Sequence, residues 1–136
     1  KAGNAESLVA FNPGVLTPVV CHTEHEDYTA GEIARALPEC PGPWVERGRH
    51  KARYHVLSYL GEHWCKGPMR FPDELAIGYT KHIIGKGGVI TWDVPIQKNG
   101  LIPDPFVRQL QAIRKGLARK PLTPRGCNSA SVSAVS

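Results

Sequence analysis

The side chains with the clearest chemical potential cluster in one stretch of the chain, residues 21–32. Acids, imidazoles and a thiol, the types used as metal ligands and in acid–base catalysis, stand close together there: Cys21, His22, Glu24, His25, Glu26, Asp27 and Glu32. His22 and His25 have a spacing that shares one helical face, but the Pro and Gly residues around them favour a loop. We therefore expect no metal and no other cofactor. A solvated acidic loop is the alternative to a functional one.

Composition and charge narrow the classes of partner. The 136 residues are 41% hydrophobic and 21% charged, which is typical of a globular domain. The formal net charge is +5, yet Lys and Arg do not gather with aromatic residues as on nucleic-acid-binding surfaces. No apolar run approaches the ~18–20 residues of a membrane span. We expect neither nucleic acid nor membrane as a partner. The chain begins at Lys1 without an apolar leader, which we expect of a processed protein or of part of a longer one.

The four cysteines are widely spaced and include no CxxC pair: Cys21, Cys40, Cys65 and Cys127. Such spacing favours neither a disulfide framework nor a zinc ribbon. We expect free or half-buried thiols.

Hydrophobic patterns and helix punctuation predict five elements. Apolar runs predict strands at Leu8–Phe11, Tyr54–Leu60 and Val89–Val94. Proline and acidic residues at the start of apolar stripes predict helices at Pro72–Ile84 and Pro103–Leu117. Residues 15–49 are expected to form a long loop with one or two helical turns within 29–37. The tail, residues 119–136, is polar and expected to be disordered.

The order of these elements indicates an α/β fold. Apolar strands that alternate with helices are typical of a parallel sheet covered by helices. Three strands and two helices cannot close such a sheet on itself. We therefore predict a partial α/β structure whose open strand edges lead to self-association or poor solubility.

Several short motifs occur in the order found in a known enzyme family. Residues 87–95 (GGVITWDVP) form a Gly-rich entry to an apolar strand that ends in proline, and 99–103 (NGLIP) form a turn before the last helix. Further motifs lie upstream: 8–14 (LVAFNPG), 26–32 (EDYTAGE), 54–64 (YHVLSYLGEHW) and 72–75 (PDEL). Together they resemble the C-terminal half of the catalytic (β/α)8 barrel of alpha-L-fucosidase-like glycoside hydrolases, family twenty-nine, over residues 1–118.

The resemblance implies the C-terminal part of a (β/α)8 (TIM) barrel, with three parallel strands and covering helices. A complete barrel needs about 250 residues, so the strand that carries the family's nucleophile would lie upstream. The implied reaction is hydrolysis of terminal glycosidic bonds without a cofactor, and the chain alone would be catalytically incomplete. The alternatives are a non-catalytic carbohydrate-binding remnant and a half-barrel interaction module.

The resemblance also implies roles for two candidate catalytic residues. Retaining glycoside hydrolases use one carboxyl group as nucleophile and another as acid/base. Glu32 follows the acidic-aromatic motif and is the preferred acid/base. His55 stands where the family carries a glutamate after tryptophan, and it is the second candidate. A hydrogen-bonded strand histidine is the alternative for His55.

The expected partners are a carbohydrate substrate and either the missing N-terminal barrel half or a second copy of the chain. The loops that follow barrel strands form the active face, so Asn12, Gly61 and Asp93 should lie on one rim. Aromatic rings stack on sugars and acids bind their hydroxyls, although Trp92 could instead be a core residue. The predicted substrate-binding residues are Asn12, Glu26, Asp27, Trp64, Trp92 and Asp93.

Overall fold

The computed structural model describes residues 3–118, so the predicted tail lies outside the described residues. The elements in chain order are β1 (Trp44–Arg47), β2 (His50–Arg53), β3 (His55–Tyr59), β4 (Gly61–His63), β5 (Lys66–Met69), α1 (Asp73–Gly85), β6 (Val89–Asp93) and α2 (Asp104–Ala118). No helix within this range is long and apolar enough to cross a bilayer.

The central pair of strands, β3 and β6, is parallel. His55 pairs with Val89 at one end and Tyr59 with Asp93 at the other. Both strands are rich in β-branched and aromatic residues, which pack well on a pleated surface. The parallel pairing predicted for the second and third strands is therefore confirmed.

The prediction of a strand at Leu8–Phe11, and with it of three parallel strands, is wrong. Within residues 3–118 there is one parallel pair of strands, and residues 8–11 form a loop. The backbone N–H of Val9 donates to the Asp27 side chain at 2.8 Å, and the Val9 carbonyl accepts from the Asp27 N–H at 2.7 Å. Leu8 and Phe11 are 75% and 44% exposed, so this apolar run is not a buried strand.

Residues 27–33 lie beside β3 and the end of β2. Their hydrogen bonds to Arg53 and Leu57 follow a parallel ladder, with isolated bridges Tyr28–Arg53 and Glu32–Leu57. Between the bridges the Thr29 hydroxyl accepts from the His55 N–H at 2.9 Å and donates to its carbonyl at 2.7 Å. The helical turns predicted within 29–37 are therefore wrong, because this backbone is paired with β3.

The structure also contains two β-hairpins that the sequence analysis did not predict. β1 and β2 pair antiparallel, with Trp44 opposite Arg53; β1 lies within the predicted loop of residues 15–49, and β2 lies between that loop and the predicted strand at Tyr54–Leu60. β4 and β5 pair antiparallel directly after β3, where the chain was expected to turn at Gly61. The turn between β4 and β5 places Cys65 at a φ of 58°, which is unusual for a residue with a side chain.

The two predicted helices are confirmed, and they cover one face of the parallel pair. α1 begins after Pro72 with Asp73 and Glu74 in its first turn, where acidic groups favour the helix dipole. The core lies in two clusters between sheet and helices: Val19, Ile33, Cys40, Tyr54, Val56 and Ile83 in one, and Leu60, Ala76, Phe106 and Ile113 in the other.

Candidate functional site

The face of the sheet turned away from the helices carries most of the candidate residues. Side chains alternate between the two faces of a strand. Val56 belongs to the core cluster that includes Ile83 of α1, so its neighbours on β3, His55 and Leu57, lie on the opposite side. Ile33 is fully buried in the same cluster, which turns Glu32 to that side too. We call this side the open face; it also carries Tyr59, Val89, Thr91 and Asp93.

Glu32 and Asn12 are brought together although 20 residues separate them in the chain. The Asn12 side-chain amide donates to Glu32 Oε2 at 2.7 Å. Asn12 is itself fixed, because its Oδ1 accepts the Gly14 N–H at 2.8 Å. A carboxylate that accepts a short hydrogen bond is held in one orientation. Glu32 is therefore a positioned carboxylate on the open face.

Both ring nitrogens of His55 are hydrogen-bonded within the protein. Nδ1 lies 2.9 Å from the Thr29 carbonyl oxygen, which can only accept, so Nδ1 carries a proton. Nε2 lies 2.9 Å from the Thr91 hydroxyl on β6. The imidazole thus joins the 27–33 segment, β3 and β6, which corresponds to the alternative of a hydrogen-bonded strand histidine.

His55 also lines a groove at the N-terminal ends of β3 and β6. The groove has a volume of about 560 Å³. Tyr28 packs edge-on against the imidazole, with 5.7 Å between ring centroids. The Arg53 guanidinium lies 5.2 Å from the centroid of the Trp44 ring. The residues of this groove are Leu8, Asp27, Tyr28, Trp44, Arg53, His55, Val89 and Thr91.

The two predicted binding acids of the 21–27 stretch have different surroundings. Asp27 lies in the groove, and it pairs with Val9 and Arg53 through its backbone. Glu26 is buried, and its side chain accepts the backbone N–H of His22, while its other carboxylate oxygen has no partner among the described residues. Burial, together with this carboxylate, raises the pKa of the Cys21 thiol to about 11.

The opposite, C-terminal ends of β3 and β6 form a second candidate region. Asp93 ends β6, and its two carboxylate oxygens accept the Cys65 backbone N–H at 2.7 Å and the Cys65 thiol at 3.3 Å. This hydrogen bond and the charge of Asp93 raise the pKa of the Cys65 thiol. Asp93 therefore attaches the tip of the β4–β5 hairpin to the end of the sheet.

Aromatic and cationic side chains surround Tyr59 at the same end. The Trp64 ring lies 4.5 Å from the Tyr59 ring, measured between centroids. The Arg70 guanidinium lies 4.3 Å from the Tyr59 centroid and 4.4 Å from that of Phe71, and it donates to the Ala34 carbonyl. We call this region the rim and define it by Tyr59, Trp64, Cys65, Arg70 and Asp93.

The rim contains three residues that the sequence did not single out: Tyr59, Cys65 and Arg70. Tyr59 had a signal, since it ends an apolar strand run on the side opposite Val56. Cys65 and Arg70 had no signal in the sequence. Cys65 contacts Asp93, and Arg70 contacts Tyr59, only because the β4–β5 hairpin folds back onto the end of the sheet.

The three residues predicted to share one rim, Asn12, Gly61 and Asp93, do not all lie together. Gly61 and Asp93 lie together, because the Leu60 N–H donates to the Asp93 carbonyl at 2.9 Å. Asn12 instead contacts Glu32, whose bridge partner Leu57 lies two residues before the end of β3.

Trp92 has the environment of a core residue. Its indole N–H donates to the Thr80 hydroxyl of α1 at 2.9 Å. Its ring packs edge-on against Phe71 and Tyr79, and it lies beside the core cluster that contains Phe106. This environment corresponds to the alternative of a core residue.

Metal-binding groups do not converge in the part of the chain that the structure describes. No three His, Cys, Asp or Glu side chains of residues 3–118 are arranged to hold an ion. Cys21, Cys40 and Cys65 are free thiols.

Comparison with known proteins identifies similarity of fold to part of two larger enzymes. No family model and no curated protein matches the chain. One similar solved structure is the endo-fucoidan hydrolase P5AFcnA from glycoside hydrolase family 107, which matches 84% of this chain at 20% identity with a TM-score of 0.57. Another is alpha-L-fucosidase isoenzyme 1 from Paenibacillus thiaminolyticus, which matches 69% of this chain at 17% identity with a TM-score of 0.51.

The chain spans 35% and 22% of the lengths of these two proteins. The described residues therefore have a fold similar to part of a fucose-related glycoside hydrolase. At these identities the similarity concerns the fold alone.

Proposed function

We propose that the chain is the C-terminal part of the catalytic (β/α)8 barrel of a fucosidase-like glycoside hydrolase of the family twenty-nine type. The complete enzyme would hydrolyse terminal glycosidic bonds. The observation that carries the proposal is the carboxylate of Glu32, held by Asn12 on the open face of a fold similar to part of two glycoside hydrolases.

The open edge of β6 supports a partner that completes the sheet. In a parallel pair the peptide groups of one strand point alternately towards and away from its neighbour. The Val89 N–H donates to the Tyr54 carbonyl, so the peptide groups of Ile90 and Trp92 point away from β3. Among the described residues no other strand pairs with β6. The missing N-terminal half of the barrel is the proposed partner, and self-association is the alternative for the isolated chain.

Glu32 is the proposed acid/base. In the first step the carboxylic acid would donate its proton to the departing glycosidic oxygen, and the resulting carboxylate would then accept a proton from the attacking water. The nucleophile would come from the missing half. Asn12 would orient the carboxyl group, while Asp93 and Trp64 at the rim would bind sugar. His55, with both ring nitrogens engaged, would support the sheet.

The test uses the protein that carries this chain together with its preceding barrel strands. Glu32→Gln should slow hydrolysis of glycosides with poor leaving groups by about 10²–10⁴-fold. Activated aryl glycosides should be affected much less, because their leaving groups need little protonation. Glu24→Gln is the matched control, since Glu24 is an exposed acid of the same loop region.

Three results would contradict the proposal. Small and equal effects of Glu32→Gln on both substrates would favour a non-catalytic carbohydrate-binding remnant. The same selective loss with His55→Gln instead of Glu32→Gln would transfer the proton-donor role to the imidazole. Turnover of an aryl fucoside by the 136-residue chain alone would show that the chain is not catalytically incomplete.

A further inference from the structure

His82, in the last turn of α1, holds the loop that leads into β1. The backbone N–H of Cys40 donates to His82 Nε2 at 3.2 Å. Cys40 is buried in the core cluster that contains Ile83, where it packs against Gly88, and its thiol donates to the Gly42 carbonyl at 3.3 Å. This contact lies on the helix side of the sheet, opposite the open face. Both of its partners belong to this chain, so it does not depend on the presence of a second barrel half.

The same ring nitrogen has a second partner that requires the opposite protonation state. Nε2 needs a free lone pair to accept the Cys40 N–H, so the proton of a neutral ring is then on Nδ1. Oε2 of Glu39 lies 3.0 Å from this Nε2, and an ionised carboxylate can only accept. One nitrogen cannot satisfy both groups at once. A neutral His82 therefore binds Cys40, whereas a protonated His82 binds Glu39.

The charges around the imidazole act in both directions on its protonation. The C-terminal end of a helix favours a cation, and the Glu39 carboxylate does so too, although 92% of that side chain is exposed. The positive charges of Lys81 and Lys86, which flank His82 at the end of α1, oppose protonation. The loss of the hydrogen bond to the buried Cys40 N–H opposes it as well. The two forms of the ring are therefore balanced by groups that all lie within this chain.

Two tyrosines hold the same loop, and both stay neutral where histidine titrates. Tyr79 and Tyr54 donate from their hydroxyl groups to the carbonyls of Pro38 and Glu39, at 2.9 and 3.2 Å. The Tyr79 ring also stacks with the His82 ring, with 6.3 Å between centroids. Burial raises the pKa of Tyr54 to about 12 and the pKa of Tyr79 above its usual range. Of these three side chains, His82 is the one that changes charge between about pH 5 and 8.

We propose that His82 is a pH-sensitive switch for the loop of residues 38–43. The neutral imidazole holds the Cys40 peptide group on α1. When the ring takes up a proton, Nε2 donates to the Glu39 carboxylate, the buried Cys40 N–H loses its acceptor, and the loop loosens where it leads into β1. Glu32 and the open face take no part in this exchange of partners, so the switch is independent of the proposed glycosidase activity.

The experiment measures hydrogen exchange of the 136-residue chain by NMR between about pH 5.5 and 8, the range in which histidine titrates. The observable is the protection factor of the Cys40 amide, which already corrects for the pH dependence of intrinsic exchange. We expect this factor to fall about tenfold from the highest to the lowest pH, because a buried donor loses its one acceptor. The Leu60 amide, which donates to the Asp93 carbonyl, should keep its protection and serves as the internal reference.

Three variants assign the effect to the exchange of partners. His82→Gln cannot gain a proton in this range, but its amide oxygen can accept the Cys40 N–H, so protection of Cys40 should stay constant within about twofold. His63→Gln, at an exposed histidine of β4, is the matched control and should show the fall seen in the wild type. Glu39→Gln, at an exposed side chain that the fold does not need, should move the midpoint of the fall about 0.2–0.5 units lower in pH.

Four results would overturn the proposal. Constant protection of Cys40 in the wild-type chain would show that His82 does not release the loop, and an equal fall in His82→Gln would assign the effect to another group. A fall shared by the Leu60 amide would show a loss of global stability instead. An unchanged midpoint in Glu39→Gln would show that the carboxylate is not the second partner.

Discussion

The groove and the rim stand at opposite ends of the same two strands, yet their side chains are used differently. At the rim the groups satisfy one another: Tyr59 is only 7% exposed, and both carboxylate oxygens of Asp93 accept hydrogen bonds from Cys65. In the groove Trp44 keeps 47% of its surface exposed. The rim therefore has fixed geometry, as positioned chemistry requires, whereas Trp44 in the groove keeps surface that no other described residue covers.

The two regions have a common support, the 27–33 segment. Asp27 and Tyr28 line the groove, while Ala34 directly after the segment accepts a hydrogen bond from Arg70 at the rim. The segment can lie this close to β3 because it contains Gly31 at a φ of 63°. Disturbing the segment should therefore affect both regions, whereas a change within either region should stay local.

The largest expected effect comes from Gly31→Ala. A Cβ at this position would lie 1.8 Å from the His55 carbonyl oxygen, so the segment would have to move away from β3. We expect the free energy of unfolding to fall by about 3–5 kcal/mol, measured by urea denaturation.

Gly48→Ala is the matched control for this substitution. Gly48 has a φ of 60°, similar to Gly31, but a Cβ there meets no atom within 4 Å. Its cost should be only the ~1–2 kcal/mol of the left-handed backbone. Equal losses for the two variants would show that the close approach at Gly31 relaxes freely, and the common support would then be the wrong description.

The next effect in size is on the free energy of unfolding when either of the two arginines that lie over aromatic rings is replaced. Arg70 contacts Tyr59 and Phe71 and bonds Ala34, so Arg70→Ala should lower the free energy of unfolding by about 2–4 kcal/mol. Arg53 contacts one exposed ring, Trp44, and Arg53→Ala should cost about 0.5–1 kcal/mol. Urea denaturation of both variants checks the order, and a larger loss for Arg53→Ala would reverse the contrast between rim and groove.

The smallest effect concerns the reactivity of Cys65 and leaves the fold in place. The Asp93 carboxylate raises the pKa of the exposed Cys65 thiol, so less thiolate is present at pH 8 than in an ordinary cysteine. Asp93→Asn removes the charge, lowers this pKa and should speed alkylation by about two- to fivefold, because the gain in thiolate exceeds its loss of intrinsic nucleophilicity. Site-resolved mass spectrometry measures the rate at Cys65.

Cys127 serves as the internal reference in the same samples, and Cys21, buried with a pKa raised to about 11, should stay unlabelled. An unchanged ratio of Cys65 to Cys127 labelling in Asp93→Asn would contradict the contact between the hairpin tip and β6.

The sequence predicted best what local patterns control. The helices begin and end within one residue of the predictions Pro72–Ile84 and Pro103–Leu117, because proline, acidic first turns and apolar periodicity act within a few residues. β3 and β6 were predicted for the same reason. Leu8–Phe11 had an equally apolar pattern, but Val9 is paired to Asp27, and no local signal contains that partner.

For the candidate site, the sequence likewise predicted individual residues but not the contacts between them. Glu32, His55, Asp27 and Asp93 could be named from residue type and from resemblance to a family. Their relationships could not, since Asn12 meets Glu32 across 20 residues and Cys65 meets Asp93 across 28. Arg70 had no signal at all, because its partners Tyr59 and Ala34 lie on other elements.

The sequence by itself determined the two helices, the two apolar strands with their α/β order, and the kinds of side chain available for chemistry. These follow from local propensity and periodicity. Only the tertiary structure decided that the 27–33 segment lies beside β3 and that Trp44 borders a groove. It also decided that Asn12 holds the Glu32 carboxylate, whereas both ring nitrogens of His55 are hydrogen-bonded within the sheet. The physical reason is that pairing and burial depend on partners distant in sequence. The Thr29 hydroxyl bonds the backbone N–H and C=O of His55, and Gly31, which has no side chain, lets its segment lie close to the His55 carbonyl.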